Sequence, residues 1–168
     1  FFADMRTKTE TALTSSVEHA CTLSLQSVAR AVSLAKDATY DGELNGVFAS
    51  YQAGDITDAE FLRQSRSYIE RKYSRESLFT FALFFPVSDP SMLVYNRAGY
   101  EQAMLYLQNA NDRVIALCES LDTRCLFLEE GGQTYLVRNL MNLRLERFGI
   151  LVLGINRDRL LRDVNALS

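Results

Sequence analysis

Apolar residues recur every three or four positions early in the chain. Leu13, Val17, Ala20/Cys21, Leu25, Val28, Val32 and Ala35 form one stripe, the signature of a one-sided helix. Neither Gly nor Pro occurs from Ala3 to Lys36, so one long helix is expected there. At about 1.5 Å per residue it would approach ~50 Å, more than a compact domain of this size requires. Its first turns, Arg6 to Glu10, are polar and are expected to project beyond the core. The pattern breaks at Asp37 to Thr39. A short helix over Glu43–Gln52 is expected next, closed by Gly54. Thr57 with Glu60 three residues on forms a capping box, opening a helix that carries Phe61, Leu62, Tyr68 and Ile69 to about Tyr73.

The period then changes. Ser77 to Val87 (SLFTFALFFPV) is continuously apolar and rich in Phe, which predicts a central strand covered on both faces. Pro86 ends it, and Ser88 to Ser91 is a turn. Met92–Arg97 is expected to be a second, antiparallel strand, stopped by Gly99. Tyr100 to about Leu121 reads as one helix, with Met104, Leu107, Asn111, Val114 or Ile115, and Cys118 on one side. Two further strands, CLFLEE from Cys125 and TYLVRNL from Thr134, flank Gly131–Gly132. Two glycines between such runs signal a tight hairpin, because both central residues of a primed turn need positive φ. Arg147–Ile155 is a fifth apolar run, in which Gly149 and Gly154 allow close backbone approach. Asn156 then caps a closing helix with Leu160, Leu161 and Val164 as its stripe.

The end of the chain, TYLVRNLMN followed by RFGILVLGINRDRLLRDV, resembles the extracytoplasmic sensor domains of bacterial membrane-bound histidine kinases, the Cache/PAS-like group. The matching residues are Tyr135 to Leu140 and Gly149 to Leu160: a glycine, an aliphatic strand and a helix start. The match covers about a quarter of the chain closely; the remainder agrees in the order of elements. The resemblance implies an α+β, PAS-like/Cache fold: a five-stranded, mostly antiparallel sheet with a long N-terminal helix packed along it. Residues 1–38 would be a stalk and dimerisation helix, and 39–168 a sensor core ending in a helix toward the membrane. It further implies an extracytoplasmic signal-sensing domain of a two-component kinase, anchored in the membrane on both sides. Phe1–Phe2 at the start, with no Met, and an end inside a helical segment are what a chain trimmed between two membrane spans would give. The alternatives are a ligand-free dimerisation module of a membrane receptor and a cytoplasmic PAS-like binding domain.

Composition narrows the partners. The net charge is −3 with no basic stripe, which argues against nucleic acid. Arg71, Lys72 and Arg75 cluster on a helix and read as a solvated face. No run reaches the roughly 18 apolar residues of a membrane helix. Cys21, Cys118 and Cys125 show no metal-ligand spacing. Cys118 and Cys125 are either disulfide-bonded across a turn, as an extracytoplasmic domain would permit, or simply free and buried.

Catalytic patterns are missing. The one histidine, His19, sits in the long helix, where Ser15 and Ser16 are poor nucleophiles, and no phosphate-binding glycine motif follows a strand. Glu129 and Glu130 point to opposite sheet faces, which suits no joint acid–base role. The chain is therefore expected to be no enzyme by itself, with no cofactor and no metal. A binding pocket is the better expectation. Arg97 and Arg138 stand inside otherwise apolar strands, where a guanidinium must reach solvent or meet an anion. Tyr95, Arg97, Tyr135 and Arg138 are the candidate ligand-binding residues for a small molecule or peptide. Arg138 has a second reading, a pair with Glu129 or Glu130 across the hairpin. Amino-acid-binding Cache sensors carry a Trp-Tyr pair after an arginine; this chain has no Trp, so that mode is not expected. A homodimer through the long helix completes the expected partners. A bulky replacement of Gly149 or Gly154 is expected to uncouple the sheet from the closing helix without unfolding the chain.

Overall fold

The computed structural model describes residues 25–160. Helix α1 covers residues 25–40 of that range, followed by α2 (Glu43–Gln52) and α3 (Asp58–Tyr73). Strands β1 (Phe79–Pro86) and β2 (Val94–Tyr95) lead through a single 3-10 turn, Arg97–Gly99, into α4 (Tyr100–Asn109) and α5 (Asn111–Cys118). The chain then runs β3 (Cys125–Glu130), β4 (Gln133–Met141), β5 (Arg147–Ile155) and α6 (Arg157–Leu160). All five strands form one antiparallel sheet in the order β2-β1-β5-β4-β3, an α+β architecture. His19, the outer half of the expected stalk and residues 161–168 lie outside the described residues.

Both sheet faces are covered, as the uninterrupted apolar character of β1 demands. One face, with Phe84, Leu136, Leu140, Leu151 and Leu153, packs under α1, α2 and α3. The other, with Phe81, Leu83, Val137, Ile150 and Val152, packs under α4 and α5. Each buried side chain of this size contributes about 1.5–3 kcal/mol relative to exposure, so both layers are real cores. α1 approaches the sheet through Ala31, Ala35 and Ala38, all buried; small side chains let its backbone come close.

That alanine spacing also explains a departure from the sequence pattern. The helix does not break at Asp37 to Thr39 but continues to residue 40, because Ala38 extends the buried stripe and Asp37 is held by Lys72 at 3.2 Å. The expected boundary between residues 38 and 39 therefore falls within α1. The expected single helix from Tyr100 is two helices, bent at Ala110 (φ −129°). The buried positions are Ala103, Tyr106, Ala110, Val114 and Cys118, a stripe turned from the one expected; Met104 and Leu107 are only half-buried. β2 is shorter than expected because Asn96 leaves the ladder. Its side-chain Oδ1 takes the Ala82 amide at 2.9 Å where a strand carbonyl would stand.

Local signals hold elsewhere. Gly131 and Gly132 have φ of 58° and 78°, as the primed turn requires. The Thr57 hydroxyl accepts the Glu60 amide at 3.2 Å, although the Glu60 carboxylate turns to Arg63 and Gln64 rather than back to the cap. Asn156 Oδ1 accepts the Arg159 amide at 3.1 Å and caps α6.

Candidate functional site

α3 has two working faces. Phe61, Ser65, Tyr68, Ile69 and Tyr73 turn to the sheet and are buried. Ala59, Leu62, Arg63, Arg66, Ser67 and Glu70 follow the same helical spacing on another side. This second stripe faces Arg97 and Ala98, and the two walls flank a shallow, open groove of about 740 Å³. That volume lies in the range of small-molecule sites.

The walls are fixed by hydrogen bonds that leave little play. The Arg97 amide donates to Glu70 Oε1 at 2.7 Å, and Ser74 Oγ donates to Glu70 Oε2 at 2.8 Å. Asn96 Nδ2 donates to Ser74 Oγ at 3.3 Å while its Oδ1 holds the Ala82 amide. So the end of α3, the 3-10 turn and β1 are one connected unit. Gly99 permits it: a Cβ there would stand 2.4 Å from Phe81 Cβ and 2.7 Å from Asn96 Oδ1. Only glycine lets the 3-10 turn lie this close to β1.

Three guanidinium groups line the groove, in different states. Arg63 is held by Glu60 through two bonds, Nε at 3.0 Å and Nη2 at 2.5 Å. The hydrogen bonds from Arg63 and then Gln64 bring the Glu60 carboxyl from its ordinary 4.5 down to about 2. Arg66 lies over the Tyr95 ring, 5.6 Å from its centroid, and its Nε is buried without a hydrogen-bond partner among the described residues. Tyr95 is itself braced by Tyr100, with ring centroids 5.6 Å apart. The Arg97 side chain is exposed and makes no ion pair among the described residues. With both Glu70 oxygens engaged, Arg66 and Arg97 leave the groove with unspent donors and positive charge. Such donors match the acceptor oxygens of an anion.

Of the four candidates, Arg97 lines this groove, and Tyr95 touches it only through Arg66. Tyr135 and Arg138 do not. β2 and β4 are three strand positions apart, roughly 14 Å at the usual spacing. Tyr135 is buried on the α4 side, its ring 5.1 Å from Tyr106 and 6.0 Å from Phe81, and burial raises its pKa. Arg138 is 1% exposed on the opposite face. Its Nε donates to Thr39 Oγ1 at 3.2 Å, and its Nη1 to the Thr123 carbonyl at 2.5 Å. The Tyr40 ring stands 5.7 Å from the guanidinium carbon. Arg138 thus fastens α1 to the strand edge. Its other reading, a cross-hairpin pair, is not realised: Glu130 meets Arg113, and Glu129 lies 3.9 Å from Arg157.

The cysteines resolve similarly. Cys118 is buried under the second face, and Cys125 packs on the first, beside Arg138. The sheet lies between them and both are free. Among the described residues, no group of three or more His, Cys, Asp or Glu is placed to hold a metal, and no helix is long and apolar enough to cross a membrane. The basic cluster lies at the surface: Arg71 pairs with Glu43 and Lys72 with Asp37, and Arg75 is exposed just past the end of α3.

Arg66 is the residue that sequence reading passed over. Its signal was the second stripe on α3, Leu62-x-x-x-Arg66-x-x-x-Glu70, which reads as a solvated face until a neighbouring wall is known. No protein-family model matches the chain, and comparison with curated proteins finds no significant relative.

Proposed function

We propose that this chain is an extracytoplasmic, PAS-like/Cache signal-sensing domain of a two-component sensor histidine kinase, and that the α3 groove receives its ligand. The observation that carries this reading is the connection between the groove and α6, the last helix among the described residues. Asn96, behind the groove, holds Ala82 of β1, and Ala82 pairs with Leu153 of β5. β5 is central, paired along its length to β1 and β4, and passes into α6 with only Asn156 between. The Asn156 amide donates to the Leu78 carbonyl at 2.8 Å, and Arg159 Nε to Ser77 Oγ at 3.2 Å. The start of α6 is therefore pinned to the start of β1.

A ligand bridging α3 and the 3-10 turn would favour one packing of these walls, and the shift would pass along β1 and β5 to α6 as a change in populations. α1, the expected dimer helix, rests on the same sheet through Ala31, Ala35 and Ala38. It would feel that shift too.

The test is the parent chain and its output. About 20 apolar residues on each side and a kinase downstream are expected. In that receptor, Arg66→Gln/Arg97→Gln should hold autophosphorylation at one level under conditions that modulate the wild type. Flanks without membrane spans would overturn the reading. Full wild-type modulation in the double variant would favour the ligand-free dimerisation module instead.

A further inference from the structure

The charges around Arg66 say what kind of molecule the groove selects. One face of the Arg66 guanidinium is covered by Tyr95, its Nε is buried and unpaired among the described residues, and the side chain lines the groove beside Arg97. An edge-on guanidinium matches a flat, two-oxygen acceptor. Glu70 lines the same groove and repels a second negative charge. Ala59, Leu62 and Ala98 supply an apolar surface beside the arginines. We infer that the groove binds an organic monocarboxylate, its carboxylate on the Arg66 edge and Arg97, its hydrocarbon body against Leu62 and Ala59. This rests on the sensor reading for its biological use but not for its chemistry. A dianionic phosphate would meet the Glu70 carboxylate, and an uncharged ligand would leave the Arg66 and Arg97 charges uncompensated.

The test is calorimetric titration of the 168-residue chain with hexanoate, hexanol, hexylammonium and inorganic phosphate. Hexanoate should bind, and the other three should bind at least about tenfold more weakly. Arg66→Gln should weaken hexanoate at least about tenfold, and Arg66→Lys, which keeps the charge but loses the planar edge, nearly as much. Arg113→Gln, which removes an exposed guanidinium paired with Glu130 outside the groove, should change it less than about twofold. Matching far-UV circular dichroism and urea midpoints for the Arg66 variants would exclude unfolding as the cause. Hexanol binding as well as hexanoate, phosphate binding better, no binding by hexanoate, or an unaffected Arg66→Gln would each overturn the assignment. None of these results touches the sensor reading, which stands or falls on the parent chain's spans and kinase output.

Discussion

Gly154→Ala sets two physical effects against each other, and the structure decides between them. On backbone grounds alone the change should help. A strand glycine without positive φ gains about 0.5–1 kcal/mol on becoming alanine, because the unfolded chain loses freedom. The surroundings oppose it. A Cβ at position 154 would stand 2.3 and 2.4 Å from two carbons of the Phe81 ring and 2.4 Å from Thr80 Oγ1. Ordinary carbon contacts lie near 3.5–4.0 Å, so more than about 1 Å must be cleared. Phe81 has nowhere to go. It is 2% exposed, wedged against Tyr106 and Tyr135, with Gly99 pressed on its Cβ.

With Phe81 locked, overpacking lies in the upper part of its usual range, about 2–3 kcal/mol, leaving a net loss of roughly 1–2.5 kcal/mol. For a domain of this size that lowers the melting temperature by roughly 2–8 °C, readable by thermal or urea denaturation of the 168-residue chain. Phe81→Leu in the same chain should recover part of it, a non-additive coupling of about 1 kcal/mol. A Gly154→Ala chain as stable as the wild type would refute the close approach of β1 and β5. The same geometry revises the expectation that a bulky residue here uncouples sheet from helix without harm. At Gly149 the added carbon meets Phe84 at 2.4 Å, so at both sites uncoupling and core damage arrive together.

Arg138→Lys should destabilise more than Arg138→Met: lysine leaves a buried charge that cannot span Thr39 and Thr123, whereas methionine removes the charge at the loss of two hydrogen bonds, about 1–3 kcal/mol in urea unfolding. A well-tolerated lysine would mean that the site needs only positive charge, as a ligand pocket would. In a Cys21→Ser background a thiol reagent should modify Cys125 well before Cys118, whose thiol burial pushes up to about 11; equal rates would contradict the buried placement. Glu60 has a folded pKa of about 2 against an ordinary 4.5, so its contribution is present above pH 4.5 and lost as pH falls toward 2. The urea midpoints of wild type and Glu60→Gln should therefore converge across that window, and a gap that persists at the acid end would show that the Arg63 and Gln64 bonds are not what hold the carboxylate.

What could be read from residues alone was whatever depends on near neighbours in the chain. The glycine pair at 131–132, the cap at Thr57, the Asn156 cap and the two-faced burial of Phe79–Pro86 are all local consequences of residue type. The alternation along β4 was legible as well: Leu136 and Leu140 fall on one face with Arg138, and Tyr135 and Val137 on the other. The failures needed knowledge of a distant partner. α1 runs through Asp37 because Lys72 waits on α3. β2 stops early because Asn96 is used by Ala82. Tyr95 and Arg97 were separated from Tyr135 and Arg138 by strand order, which places sequence-distant β5 between β1 and β4.

The same strand order decides where a signal could travel. With β5 at the centre, the strand that feeds α6 is also the one that joins the β2–β1 half of the sheet to the β4–β3 half. A disturbance at β3 or β4 reaches α6 through β5 and through the exposed Glu129–Arg157 contact at 3.9 Å. One at the α3 groove has two routes: the β1–β5 ladder, and the direct bonds of Leu78 and Ser77 to Asn156 and Arg159. The groove lies on the side of the sheet with the more redundant link to the exit. Arg138 occupies the complementary place, tying the end of α1 to β4 and to the loop before β3, remote from the groove and inaccessible. The two arginines first singled out together thus divide the work. Arg97 faces the solvent at the groove, while Arg138 holds α1 to the sheet.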